Sequence, residues 1–184
     1  RLITLRYTGR GDGKVLGLVG KSVTFDTGGI SIKPSGGMEE MKMDMSGGAA
    51  VLEAVDAIAS LDLAIDIIAV LPSTENMPSG TALKPGDIIT QLNGKTVEVT
   101  NTDAEGRLIL ADALALASEA DPDAIVDLAT LTGAVEVALG NRIAGVLGND
   151  DAWIDQVRRA ADRAGERVWP LPMPSDYRKR LDSD

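Results

Sequence analysis

The heptapeptide Asn101–Arg107, NTDAEGR, places two carboxylates and a guanidinium within one short stretch of the chain. Asp103 and Glu105 flank a single residue, so their side chains can converge on one cation. The glycine that follows, Gly106, allows the backbone to come close to whatever is bound there. The heptapeptide is therefore predicted to be part of a functional site.

Helix capping explains the same residues only in part. Thr102 as N-cap and Glu105 three residues later match a capping box. Gly106 does not fit, because glycine destabilises a helix interior by about 1 kcal/mol relative to alanine. Arg107 does not fit either, since a positive charge is unfavourable in the first turn of a helix. Capping alone therefore does not account for the stretch.

Asp26 and Asp44 extend the candidate site. Like Asp103 and Glu105, each lies at a junction between apolar segments and has glycine within a few residues. In isolation, Asp26 is typical of a turn and Asp44 of a helix-capping region. Four carboxylates gathered in a partly buried place would repel one another unless cations neutralised them. The combination predicts two divalent metal ions.

Other motifs offer alternative functions. Asp26-Thr27-Gly28 resembles half of an aspartic protease site, which would require a symmetric dimer because the triplet occurs once. Leu83–Ile89 followed by Asn93-Gly94 resembles a hairpin of PDZ domains, which bind peptide carboxyl termini. Gly17–Ser22 lacks the four-residue spacing between glycines of a phosphate-binding P-loop, so no nucleotide site is predicted.

Composition limits the classes of function. The formal charge of −10 and a pI near 4.5 argue against contact with nucleic acid or an anionic membrane. The chain has no cysteine and no histidine, which excludes disulfides, thiolate chemistry and histidine-based triads or zinc motifs. With no membrane-length apolar run and no signal-peptide pattern at the first residues, we expect a cytoplasmic protein.

Alternating strand and helix patterns predict an α/β fold with a mixed β-sheet sandwiched between α-helices. The expected strands are Leu2–Tyr7, Val15–Val19, Val23–Phe25, Ala64–Leu71, the hairpin of Asp87–Leu92 and Thr96–Val99, Ala124–Ala129 and Ile143–Leu147. The expected helices are Ser46–Leu61, Leu108–Ala120, Ala134–Leu139, Ala152–Ala164 and one beginning near Ser175. Pro72–Gly80 is expected to be a polar loop.

Several segments can be taken together: Gly20-Lys21, Val23–Pro34, Met41-Lys42, Asp44-Met45, Asn101–Arg107 and Ala129–Ala134. In these segments the chain closely resembles the leucyl aminopeptidase (cytosol aminopeptidase, M17) family. They run through most of the chain, and the uninterrupted NTDAEGR string is highly specific. The resemblance implies a truncated catalytic domain over residues 1–184, with an N-terminal domain and the C-terminal end of the catalytic domain absent.

The resemblance also implies a binuclear site holding zinc, manganese or magnesium. By motif position, the ligands of one metal would be Lys21, Asp26, Asp44 and Glu105, and those of the other Asp26, Asp103 and Glu105. A lysine ligand must be deprotonated, against a pKa of about 10.4 for a free lysine. Charge from the metals would have to supply that shift.

The implied reaction removes an N-terminal amino acid, with leucine or another apolar residue preferred, from peptides with a free N-terminus. Lys33 is implied to stabilise the developing oxyanion, and Arg107 to hold a bicarbonate ion that serves as general base. The residues implied to form the substrate pocket are Met41, Thr130, Leu131 and Gly133. The intact protein is implied to be a homohexamer. The absent parts are implied to help form the substrate pocket and the hexamer, so the resemblance assigns the activity to the intact protein and leaves that of the fragment open.

Overall fold

The computed structural model describes residues 1–9, 11 and 13–182. The chain divides into two compact units, Arg1–Leu131 and Thr132–Asp184. The candidate carboxylates all belong to the first unit.

The first unit contains seven strands and two α-helices within the described residues. The strands are β1 (Leu2–Thr8), β2 (Val15–Gly20), β3 (Ser22–Asp26), β4 (Asp66–Asn76), β5 (Asp87–Thr90), β6 (Thr96–Val99) and β7 (Ala124–Leu128). The α-helices are α1 (Ser46–Ser60) and α2 (Glu105–Ser118), and 3-10 helices cover Met38–Met43 and Thr102–Ala104. The helix predicted from Leu108 therefore begins three residues earlier, inside the NTDAEGR stretch.

The central sheet is mixed and has five strands. Its order is β1-β4-β2-β7, and β3 pairs with the far end of β4. β2 and β3 both run parallel to β4, β7 runs parallel to β2, and β1 is antiparallel to β4. The hairpin of β5 and β6 forms a separate two-stranded antiparallel sheet.

Both faces of this sheet are covered by helices, as the sequence predicted. Side chains of successive residues point to opposite faces of a strand, and β4 follows this rule. Residues of one face pack with α1, in a cluster of Leu18, Val51, Val55, Ile67, Ala69 and Leu71. Residues of the other face pack with α2, in a cluster of Val19, Ile68, Val70, Leu110, Ala113 and Ala117. This two-sided burial explains why the 67–71 segment of β4 is continuously apolar.

β4 is longer than the sequence predicted. The strand was expected to end at Leu71, but it continues through Pro72 to Asn76. β2 pairs with β4 only as far as Val70, and β3 takes over from Ser73. Pro72 lies between these two paired segments, where a missing N–H donor is tolerated. The extension carries Asn76 to the level of Asp26.

The second unit is smaller. It contains α3 (Ala134–Leu139), β8 (Ala144–Val146), α4 (Asp151–Ala164), β9 (Val168–Pro170) and a 3-10 helix over Ser175–Leu181. β8 and β9 pair in parallel. The helix predicted from Ser175 is thus a 3-10 helix, and its last two predicted residues lie outside the described part of the chain. Across the described residues, none of the helices is both long and apolar enough to cross a membrane.

Candidate metal centre

The candidate site lies where the parallel strands of the central sheet end. Lys21 directly follows β2, whereas Asp26 and Asn76 are the last residues of β3 and β4. Thr130 follows β7 by two residues, and Glu105 is the first residue of α2. The carboxyl ends of parallel strands form one edge of an α/β sheet, and this edge is where such folds bind ligands. The topology therefore brings together residues that are far apart in sequence.

Lys21 is the buried centre of one half of the site. Its side chain is 3% exposed, and Nζ lies 2.7 Å from Oδ1 of Asp44 and 2.9 Å from Oε1 of Glu105. Nζ also donates to the carbonyl oxygen of Thr130 at 2.9 Å. These three acceptors match the three donors of an ammonium group. The Thr130 hydroxyl donates to the same Asp44 oxygen at 2.8 Å.

Lys33 occupies the other half of the site. Its Nζ lies 2.8 Å from Oδ2 of Asp26 and forms a second ion pair with Oδ1 of Asp103. Burial alone would lower the pKa of Lys33, but its hydrogen bonds to Asp103 and Asp26 and their negative charges outweigh burial and raise it. Lys33 is therefore an ammonium at neutral pH.

The carboxylates of the site outnumber its lysines. Oxygen atoms of Asp26, Asp103 and Glu105 lie within 4.8 Å of one another, close enough to share a cation. Burial raises the pKa of Glu105, and the nearby Lys21 opposes that shift. Four carboxylates paired with two ammonium groups leave a formal charge of −2 in a largely buried place. Such an excess favours the binding of additional positive charge.

One oxygen of Asp44 gives independent support for a bound cation. Asp44 is 5% exposed, and within the described part of the chain its Oδ2 has no hydrogen-bond partner. A buried, unpaired carboxylate oxygen is energetically unfavourable unless something positive binds it. Oxygen ligands suit hard divalent ions such as Mg²⁺ and Mn²⁺. The donor set thus fits the metal pair that the sequence predicted.

Thr102 does not cap the helix, contrary to the local interpretation of the heptapeptide. Its hydroxyl donates to the carbonyl oxygen of Gly28 at 2.6 Å and accepts from the backbone N–H of Ser31 at 2.9 Å. Asn101 caps the preceding 3-10 helix, since its side chain accepts from the N–H of Asp103 at 2.9 Å, and Ala104 before α2 makes no side-chain cap. Thr102 instead links the heptapeptide to the loop after β3, because its buried hydroxyl forms hydrogen bonds with Gly28 and Ser31 of that loop.

Asn76 is a site residue that sequence reasoning missed. Its Nδ2 donates to Oδ1 of Asp26 at 2.8 Å and to the carbonyl oxygen of Thr102 at 3.0 Å, and lies 3.4 Å from Oε2 of Glu105. The residue was assigned to a polar loop, where an asparagine is unremarkable. Only the extension of β4 beyond Pro72 places it at the site, and no local sequence signal indicates that extension.

Position 106 favours glycine because neighbouring side chains leave little room for a Cβ atom. A Cβ atom at this position would lie 2.8 Å from Cε of Lys21 and 3.1 Å from Cδ1 of Leu131. The sequence attributed this glycine to close approach of a bound ligand. In the structure, the groups that approach it closely are the stem of the buried lysine and a leucine side chain.

We expect Gly106→Ala to weaken divalent-cation binding about tenfold, since a shifted Lys21 amine disturbs one ligand set and such indirect changes cost about 10–100-fold. The added methyl group crowds Lys21, but helix propensity favours alanine by about 1 kcal/mol. Because these two effects oppose each other, the free energy of unfolding without metal should change little. Calorimetric titration with Mn²⁺ and thermal unfolding measure the two effects. Gly80→Ala is the matched control, because no atom lies within 4 Å of a Cβ there. Equal cation affinities in both variants would contradict the prediction.

The residues predicted to bind bicarbonate and substrate have fewer contacts with the carboxylates and lysines of the site. Arg107 is exposed in the first turn of α2, and among the described residues no ion pair or hydrogen bond joins it to the carboxylates. Met41 is half-buried in the 3-10 helix after the glycine-rich loop, and Leu131 is 45% exposed. Gly133 is exposed in the second unit. Their predicted roles with bicarbonate and substrate therefore stay predictions.

Comparison with known proteins identifies relatives along the whole chain. The sequence profile of the cytosol aminopeptidase family, catalytic domain, matches residues 1–184. A probable cytosol aminopeptidase of Geobacter sp. (strain M21) is 56% identical over 185 residues, covering 100% of this chain and 38% of the relative. One from Solibacter usitatus (strain Ellin6076) is 58% identical over 184 residues, covering 99% and 38%. The chain thus spans little more than a third of the length of these relatives.

Solved structures agree with this result. The bottromycin maturation enzyme BotP is 44% identical, with a TM-score of 0.91, and the match covers 99% of this chain and 39% of that one. The same enzyme in complex with Mn is 45% identical, with a TM-score of 0.92, covering 99% and 40%. The α/β fold is therefore shared with structures of substantial sequence identity.

Proposed function

Since the chain belongs to the cytosol aminopeptidase family, we propose that the intact protein hydrolyses the N-terminal residue from peptides with a free N-terminus, preferring leucine or another apolar residue. The observation that carries this proposal is the convergence of four carboxylates and two lysines at one sheet edge. Both compact units would belong to one catalytic domain, and further parts of the intact protein would complete the pocket.

The proposed cofactors are two divalent metal ions. Lys21, Asp26, Asp44 and Glu105 would hold one ion, and Asp26, Asp103 and Glu105 the other. The unpaired Oδ2 of Asp44 and the closely spaced oxygens of the second set support this assignment. Manganese gains support from the Mn complex of the structural relative, and zinc and magnesium are the alternatives for the same ligands. Bound metals of this kind polarise a carbonyl group and lower the pKa of water.

Lys33 would supply positive charge for the oxyanion that develops during peptide hydrolysis. Its raised pKa keeps the side chain protonated, and an ammonium fixed before reaction stabilises developing negative charge without reorganisation. The side chain is 22% exposed, so it remains accessible from the site. Asp26 and Asp103 hold it in place.

Arg107 would bind bicarbonate as the general base, and its exposure leaves the guanidinium accessible to an anion. Met41, Thr130, Leu131 and Gly133 would form the substrate pocket. The partly buried hydrogen bonds of the Thr130 carbonyl and hydroxyl groups join that part of the pocket to Lys21 and Asp44. We further propose that the intact protein is a cytoplasmic homohexamer. It is also proposed to have no nucleic-acid partners, which the formal charge of −10 on this chain supports.

Metal removal tests the proposal. Dialysis of the intact protein against a chelator is expected to abolish hydrolysis of a leucine anilide, and Mn²⁺ is expected to restore it. An aspartic protease would continue to cut internal bonds in chelator, and a PDZ-like module would bind peptide carboxyl termini without turnover. Hydrolysis that persists after chelation would overturn the metal-dependent function.

A further inference from the structure

The side-chain amide of Asn76 contacts the two carboxylates that are proposed to serve both metals. Nδ2 donates to Oδ1 of Asp26 at 2.8 Å and lies 3.4 Å from Oε2 of Glu105. Its orientation is fixed, since the same nitrogen also donates to the carbonyl oxygen of Thr102. All three of these partners are acceptors, so the amide nitrogen must face the site.

Asn76 and the lysines contact different oxygens of these carboxylates. The Asn76 amide donates to Oδ1 of Asp26, whereas Lys33 forms an ion pair with Oδ2. On Glu105, the amide lies near Oε2, whereas Lys21 forms an ion pair with Oε1. A lysine that ligates a metal must lose its ammonium contacts, but a neutral amide keeps its donors at every relevant pH. Asn76 can therefore hold both carboxylates whether cations or ammonium groups neutralise them.

Asn76 is itself held rigidly. Its backbone carbonyl accepts from the N–H of Thr27 at 2.9 Å and from the Thr27 hydroxyl at 2.7 Å. The loop after β3 lies close to the side-chain oxygen of Asn76, since a Cβ added to Gly29 would be 2.8 Å from Oδ1. Gly29 also has a φ of +67°, which favours glycine. These contacts fix the position of the donor before any ligand binds.

We propose that Asn76 is a positioning residue that orients Asp26 and Glu105 for binding of the metal pair. The inference rests on the proposed function and adds a residue that contacts the carboxylates without being a ligand. Hydrogen bonds from such outer residues fix the orientation of metal ligands, and losing one typically weakens metal binding about 10–100-fold.

The test compares the intact wild-type protein with Asn76→Ala by calorimetric titration of Mn²⁺. We expect the dissociation constant to rise about 10–100-fold, while the far-UV circular dichroism of the metal-free protein stays the same. The increase in thermal midpoint on adding Mn²⁺ should also shrink. A purely structural role would lower the midpoint equally with and without Mn²⁺. Should Asn76→Ala not fold, Asn76→Ser supplies the comparison.

Asn93→Ala is the control, because Asn93 lies in the exposed turn between β5 and β6. This variant is expected to bind Mn²⁺ like the wild type. Unchanged Mn²⁺ affinity in folded Asn76→Ala would overturn the positioning role and leave the proposed function intact. A wild-type protein that binds none of Mn²⁺, Zn²⁺ and Mg²⁺ would instead contradict the proposed function itself.

Discussion

Glu105→Gln is expected to reduce peptide hydrolysis by about 1,000-fold or more, which exceeds the roughly 10–100-fold effect of changes outside the ligand shell. Glutamine keeps the shape of the side chain but removes its charge. Glu105 is 9% exposed, pairs with Lys21, and has an oxygen within 4.8 Å of oxygens of Asp26 and Asp103. The neutral side chain would therefore remove one negative charge from both proposed metal sites. Hydrolysis of a leucine anilide and metal analysis of the dialysed protein measure the two effects.

Glu119→Gln is the matched control for this change. Glu119 is exposed at the other end of the same helix, α2, so its charge is not part of the site. The control should keep wild-type activity and metal content. If Glu105→Gln retained both, the assignment of Glu105 as a shared ligand would be wrong. A loss in both variants would instead indicate a general effect of charge on the helix.

Lys21→Met is expected to lower the metal content from two ions to about one and to reduce activity by about 1,000-fold or more. Methionine fills a similar apolar volume but offers no amine. Lys21 is buried against Asp44 and Glu105, so its loss leaves both carboxylates without their nearest positive charge. Lys95→Met, in the exposed turn after β5, is the control and should behave like the wild type.

Proton release distinguishes a ligand role for Lys21 from a simple ion pair. An ammonium has no free electron pair, so a lysine that ligates a metal must release a proton. Glu105, whose pKa is raised by burial, adds to this release at low pH. Mn²⁺ affinity of the wild type should therefore increase as pH rises. Calorimetry in buffers of different ionisation enthalpy measures the protons, and an equal release in Lys21→Met would rule out the ligand role.

The order of strands and helices in the first unit could be predicted because its signals are local. β4 and the helices that cover it show the apolar runs and periodicity expected for a sheet with both faces buried. The end of β4 could not be predicted, since Pro72 and the polar residues after it read as a loop. Pairing with β3 from Ser73 onward overrides that local preference. Long-range register, which short sequence patterns do not encode, decided the boundary.

For the heptapeptide too, local sequence indicated some features and only the tertiary structure revealed others. Its residue types, together with Asp26 and Asp44 and the absence of histidine, determined by themselves that cation chemistry on carboxylate ligands was the candidate function. The tertiary structure alone decided that Thr102 ties two loops together and that Gly106 makes room for Lys21. It also decided that Asn76 joins the site. Residue types set the available chemistry, but distances between residues far apart in sequence depend on how the strands pair and end.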